Sequence, residues 1–176
     1  GGRIKPPPWV RQDGGDPLAT LRRNCRAVAV VEEDAVFDFA DRSLSAIEAA
    51  RFIKMGKRRQ KSYLAGRLAL KALARKLAAD DRLTPAQDIH TMLEDGVRPC
   101  CPNLTGQTPV FCSLSHDRRF AVAVGSDEAI GVDVEILSER AIKARHLFMN
   151  QEELSLAETS PLGVLAATVR IWSIKE

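Results

Sequence analysis

Residues 111–135 read FCSLSHDRRFAVAVGSDEAIGVDVE. Their alternation predicts a strand from Phe111, a turn carrying Ser115 and His116, and a second strand over 120–124. A Gly-Ser-Asp-Glu turn follows, then a third strand over 130–136. Successive side chains of a strand leave opposite faces. Asp133 and Glu135 therefore share one face, while Val132, Val134 and Ile136 take the other. Two carboxylates side by side either face water or hold a cation.

Upstream, residues 57–79 predict a long helix, with Leu64, Leu68, Leu73 and Leu77 recurring at helical spacing. Arg67, Lys71 and Arg75 line a second face of it. Residues 51–79 hold ten of the chain's 26 basic residues and no Asp or Glu, which suits an anionic partner. Arg59, Lys61, Ser62 and Arg67 crowd the first half of the helix. Unbonded amides and the helix dipole also favour an anion there, so these four are read as a phosphate site. Lys71, Arg75 and Lys76 are read as a solvated face.

The chain has 176 residues, 45% of them hydrophobic, and a net charge of +3. That is the scale of one domain or of two small lobes sharing a core. The charge is too small to imply nucleic acid by itself. No apolar run approaches the roughly 18–20 residues of a membrane span. Cys25, Cys100, Cys101 and Cys112 lack C-x-x-C spacing and follow no signal peptide, so reduced thiols and a cytoplasmic location are expected. A zinc set of Cys100, Cys101, Cys112 and His116 is disfavoured, because adjacent cysteines rarely converge on one tetrahedral ion.

Residues 1–20 are rich in Pro and Gly and read as a flexible tail or linker. A buried strand follows over 26–31, then an acidic loop over 32–42 with Phe37 and Phe39 as its anchors. Ser45 and Glu48 have capping-box spacing and start a helix that Gly56 ends. Residues 80–88 are a loop, 89–93 a short strand, and 95–109 irregular. A helix over 139–156, a break at Ser160-Pro161 and a helix over 162–176 complete the reading. The chain starts without Met and stops straight after an apolar helical pattern, so a fragment of a longer protein is expected.

Carboxylates are the ligands Mg²⁺ prefers, and Mg²⁺ commonly shares its octahedron with substrate phosphates. With a basic helix start and a histidine after a strand, the parts suit phosphoryl-type chemistry. The wording itself is more specific. Ser113-Leu114-Ser115-His116, Gly131-Val132-Asp133-Val134-Glu135 and Trp172-Ser173-Ile174-Lys175-Glu176 resemble the ordered three-part signature of the Sfp-like 4′-phosphopantetheinyl transferases. Residues 59–67, RQKSYLAGR, resemble the corresponding helix of the enterobactin synthetase component D type. Gly96-Val97-Arg98-Pro99 is similar to that family's G-[KR]-P turn, with one residue inserted.

The resemblance implies an α+β fold of two pseudo-symmetric lobes, each a helix on a small antiparallel sheet, the second truncated. The lobes would be 21–128 and 129–176. It implies Mg²⁺-dependent transfer of 4′-phosphopantetheine from coenzyme A to a serine of an acyl or peptidyl carrier protein, releasing 3′,5′-ADP. Asp133, Glu135 and Glu176 would hold Mg²⁺. Arg59, Lys61, Ser62, Arg67, Arg98, Ser115, His116 and Lys175 would meet the coenzyme's phosphates and nucleotide. Glu176 and His116 are the catalytic pair, Glu176 as general base. Trp172 is assigned to the core. Asp117, after the histidine, suits an anion site only if it turns outward. A monomer with no nucleic-acid or membrane partner is expected, and the stretch alone is expected to be poorly active. The alternatives are a non-catalytic protein binding coenzyme A or a carrier protein, and a basic nucleic-acid-binding domain.

Overall fold

The computed structural model describes residues 17–78, 84–93 and 110–175. They fall into two compact units, Leu21–Val134 and a second that takes in 17–20 and 135–175. In chain order the elements are α1 (Pro17–Asn24), β1 (Ala27–Glu32), α2 (Ala40–Ser43), α3 (Ala46–Phe52), α4 (Lys57–Ala78), β2 (Phe111–His116), β3 (Phe120–Ser126), α5 (Glu139–Phe148), α6 (Gln151–Thr159) and α7 (Val164–Lys175). Helices with a small antiparallel sheet make this an α+β protein, as expected.

In the first unit the sheet order is β1-β3-β2, with both pairings antiparallel. Strand alternation divides its faces. Ala29, Ala121 and Ala123 join Leu64, Ala65, Ala69 and Leu73 of α4 in one core, with Cys112 and Leu114 packed against it. Leu64 and Leu73 are fully buried, each worth about 2 kcal/mol of apolar transfer. Small residues on β1 and β3 let the helix lie close to the sheet. Gly66 serves the same end, since a Cβ there would stand 3.1 Å from a methyl of Leu114.

Val28, Val122 and Val124 form the opposite face with Cys25, and Ile130, Val132 and Val134 pack onto it. Residues 130–136 are not the strand the alternation predicts. Ile130, Val132 and Val134 still face the sheet, whereas Ile136, expected beside them, is exposed. The amides of Val132 and Val134 donate to the hydroxyls of Ser113 and Ser115, at 3.0 and 3.1 Å. Side chains there take the part of a backbone ladder.

Helix α3 begins at the expected capping box. Ser45 N donates to Glu48 Oε2 at 2.8 Å, and Glu48 N donates to Ser45 Oγ at 3.4 Å. Other expectations are corrected. Phe37 and Phe39 are exposed, and Val36, 2% exposed, anchors the loop instead. Residues 89–93 hold an isolated bridge at Met92 in place of the expected short strand, and Ile89 and Thr91 join a buried polar network. Cys112 is disulfide-bonded, not the reduced thiol expected of it, because spacing along the chain does not encode which cysteines folding brings together.

The helix expected over 139–156 is two. Asn150 Oδ1 accepts from Glu153 N at 2.9 Å and Glu153 Oε2 from Asn150 N at 2.8 Å, a second capping box that ends one helix and starts the next. Met149, Ala157 and Ala167 form this unit's core. Trp172 packs edge-on against Phe148, ring centroids 4.8 Å apart, in the core role assigned to it. Gly163 turns into α7 at φ +80°, a conformation other residues rarely take.

Candidate functional site

The turn expected at Ser115 and His116 begins two residues later. Strand β2 continues through His116, and Asp117 makes the turn, its Oδ1 accepting from Arg119 N at 2.6 Å and Phe120 N at 2.7 Å. This Asx arrangement occupies the carboxylate that would oppose an anion. Because Ser115 and His116 both lie in a strand, they leave opposite faces. His116, exposed, sits opposite Ala121 on the α4 side. Ser115 is on the other side, and its Oγ donates to Asp133 Oδ1 at 3.1 Å. Two of the three motifs thus meet within the first unit, while the serine and histidine of one motif diverge.

The basic residues of α4 separate by environment. Arg59 is exposed. Lys61 pairs with Asp34, and that hydrogen bond holds the carboxyl low and the ammonium high, each keeping the other charged. Ser62 Oγ donates to Arg59 O at 3.4 Å, back along its own helix. Arg67 is buried at 6% exposure, and its Nη1 donates to Thr91 O at 2.8 Å and Thr91 Oγ1 at 3.0 Å. Its guanidinium also lies 5.3 Å from the Tyr63 ring centre. Arg98 lies outside the described residues.

Of the face read as solvated, Lys76 is exposed as expected, Arg75 is half-buried and Lys71 is buried. Lys71 is 2% exposed and its Nζ is 2.7 Å from Glu48 Oε2. It also donates to Ala86 O at 2.7 Å and Ile89 O at 2.9 Å. Arg75 donates to Thr84 O and Lys76 to Val28 O. Buried carbonyls need donors, and long cations supply them while their stems cover apolar surface. Sequence alone shows the cations but not the carbonyls they meet.

In the second unit, Glu135 is exposed and lines a cavity of about 270 Å³ with Ser138, Arg140, Val169 and Trp172. Lys175 Nζ donates to Phe148 O at 2.6 Å and pairs with Glu153 Oε2 at 2.7 Å. That hydrogen bond, with the Asn150 amide, holds the Glu153 carboxyl below its ordinary value. Lys175 is therefore tied to the ends of α5 and α6 in this structure. Glu176 lies outside the described residues. Among the described residues no three His, Cys, Asp or Glu side chains are gathered as a metal site.

No family model matches the chain, and neither does any curated protein. Among solved structures it is similar to a holo-(acyl-carrier-protein) synthase from Bacillus anthracis in complex with CoA (3′,5′-ADP), at 24% identity and a TM-score of 0.43. That likeness covers 57% of this chain and 94% of the other. It is also similar to the holo-[acyl-carrier-protein] synthase of Thermotoga maritima, at 25% identity and a TM-score of 0.42, over 59% of this chain and 65% of that one. No described helix is long and apolar enough to cross a membrane.

Three residues near these positions carry weight that sequence reasoning did not assign. Glu48 is fully buried and organises Ser45, Lys71 and Thr91. Its capping role was legible, but its second carboxylate oxygen was not. Glu33 is 4% exposed, with Oε1 unpartnered, and burial raises its carboxyl above the ordinary range. Ser113 receives the Val132 amide; the only sign of it was its place two residues before Ser115 on the same strand face.

Proposed function

We propose that the chain carries out Mg²⁺-dependent transfer of 4′-phosphopantetheine from coenzyme A to a serine hydroxyl of an acyl or peptidyl carrier protein. The observation that supports this most directly is the Ser115–Asp133 hydrogen bond at 3.1 Å, which joins two motifs of the ordered signature. The reading rests on that contact and on the motif order, not on the partial likeness to solved structures.

Donor chemistry fits the implied metal. Asp133 is an exposed carboxylate whose apolar neighbours, Val132 and Val134, are turned to the sheet, and Glu135 is a second exposed carboxylate. With Glu176 they would supply the oxygen ligands Mg²⁺ takes. Mg²⁺, when bound, would neutralise charge on the pyrophosphate oxygens. Arg59, Arg98 and His116 would meet the coenzyme's phosphates, with Lys61 and Ser62 beside them. Arg67 and Lys175 would contribute beyond the bonds they already make. Glu176 would take the proton of the carrier serine as its oxygen bonds the β-phosphorus. The bond from that phosphorus to 3′,5′-ADP breaks in the same displacement.

The test is incubation of the full chain with coenzyme A, Mg²⁺ and an apo carrier protein, read by intact mass. A gain of one phosphopantetheinyl group that disappears in Asp133→Ala is expected. Coenzyme A binding without any gain on the carrier would leave a binding protein in place of an enzyme. Binding to nucleic acid that collapses with salt and ignores Asp133→Ala would favour the basic helix as a nucleic-acid site.

A further inference from the structure

We infer that Ser115 is a positioning residue for the Asp133 carboxylate and not a phosphate ligand, an assignment that rests on the transferase reading above. Its hydroxyl is committed twice. Oγ donates to Asp133 Oδ1 at 3.1 Å and accepts from Val134 N at 3.1 Å. A serine hydroxyl carries one hydrogen. With that hydrogen on Asp133, none remains for a phosphate oxygen, which at neutral pH offers only acceptors. Ser115 can serve a phosphate only by letting go of Asp133.

The second commitment sets register. Ser113 accepts from Val132 N at 3.0 Å, so two hydroxyls one strand period apart receive two amides one period apart. They hold Val132 and Val134 against Val122, Val124 and Val28, which leaves Asp133 facing out. A slip of one residue would turn the carboxylate into the apolar face. Ser115 alone of the pair also holds the carboxylate, its hydroxyl donating to Oδ1 and not to Oδ2. Partners of this kind, one shell behind a metal ligand, commonly change metal affinity by about 10–100-fold when removed.

Ser115→Ala, Ser115→Thr and Ser113→Ala, made in the full chain, separate the roles. Amide exchange followed by NMR is expected to quicken at least about tenfold at Val134 in Ser115→Ala, and at Val132 in Ser113→Ala. Mn²⁺ binding, measured by calorimetry, is expected to weaken about tenfold or more in Ser115→Ala, to recover in Ser115→Thr and to hold in Ser113→Ala. Binding of 3′,5′-ADP with metal chelated is expected to be unchanged in all three. Weakened 3′,5′-ADP binding with Mn²⁺ affinity intact in Ser115→Ala overturns the proposal, and so does unchanged exchange at Val134. A wild-type chain that binds neither Mn²⁺ nor 3′,5′-ADP overturns the transferase reading itself. Exchange at Val134 then decides the hydroxyl's structural role alone, quickened supporting it and unchanged overturning it.

Discussion

Lys71 Nζ lies 2.7 Å from Glu48 Oε2, and neither side chain is more than 2% exposed. The pair is surrounded by donors and acceptors that complete it. Thr91 N and Oγ1 donate to Glu48 Oε1, Ser45 N donates to Oε2, and Lys71 also serves Ala86 O and Ile89 O. One cluster thereby ties α3, α4 and residues 84–92 together. Lys71→Met is expected to destabilise the protein by about 3–5 kcal/mol, because it strands a buried carboxylate. Lys71→Met with Glu48→Leu is expected to lose less than Lys71→Met alone; denaturant unfolding of the two variants checks this.

The same cluster sets an acid limit. Burial is the largest single influence on Glu48 and pushes its carboxyl up, but the bonds from Lys71, Thr91 and Ser45 together leave it below the usual value of 4.5. A carboxyl lowered by folding adds stability that is fully present above its unfolded value. That contribution is lost as pH falls through the lower, folded value. Thermal unfolding of wild type and Glu48→Gln should converge as pH drops below 4.5, and separate again above it.

Glu33 has the opposite sign. Burial lifts its carboxyl above 4.5, with His116 and Lys61 pulling down and Asp117 and Asp34 pushing up. A carboxyl raised by folding costs stability above its folded value, and the cost is gone below its unfolded one. With Oε1 unpartnered as well, Glu33→Gln is expected to stabilise by about 1 kcal/mol at neutral pH. The gain should shrink toward zero near pH 4, in melts recorded across that range.

Arg59 and Arg67 are expected to part company on substitution. Arg59 is exposed, so Arg59→Ala should leave the melting temperature unchanged and weaken 3′,5′-ADP binding about tenfold. Arg67 is buried against Thr91, so Arg67→Ala should cost about 3 kcal/mol of stability. Calorimetry and thermal unfolding on the same samples distinguish the two effects. Equal melting temperatures would show that the Thr91 contacts do not hold the fold.

At Asn150 the prediction is local. Asn150→Ala removes the side-chain half of its capping box and is expected to destabilise by about 1 kcal/mol, with amide exchange at Glu153 quickened.

Much of this fold was readable along the chain. The Ser45 box, the leucine stripe of α4 and the alternation of β3 all emerge where expected, because each depends on neighbours within a turn or a strand period. The alternation of residues 132–135 also holds in direction: valines in, carboxylates out. What failed was the inference from alternation to a backbone ladder. A ladder needs a partner strand, and the partners here are two serine hydroxyls. The single helix over 139–156 failed for a nearer reason, since an Asn with Glu three residues on restarts a helix as well as Ser does.

By itself the sequence determined an α+β chain, a long basic helix, and three ordered motifs whose chemistry suits a phosphate-bearing substrate. Only the tertiary structure decided how the cations and hydroxyls are spent. Arg67 and Lys71 satisfy buried carbonyls, Ser115 belongs to Asp133, and Arg59 stays exposed. Helical spacing and strand alternation say which face a side chain leaves. The unpaired polar groups waiting on that face come from segments far along the chain, and only folding brings them there.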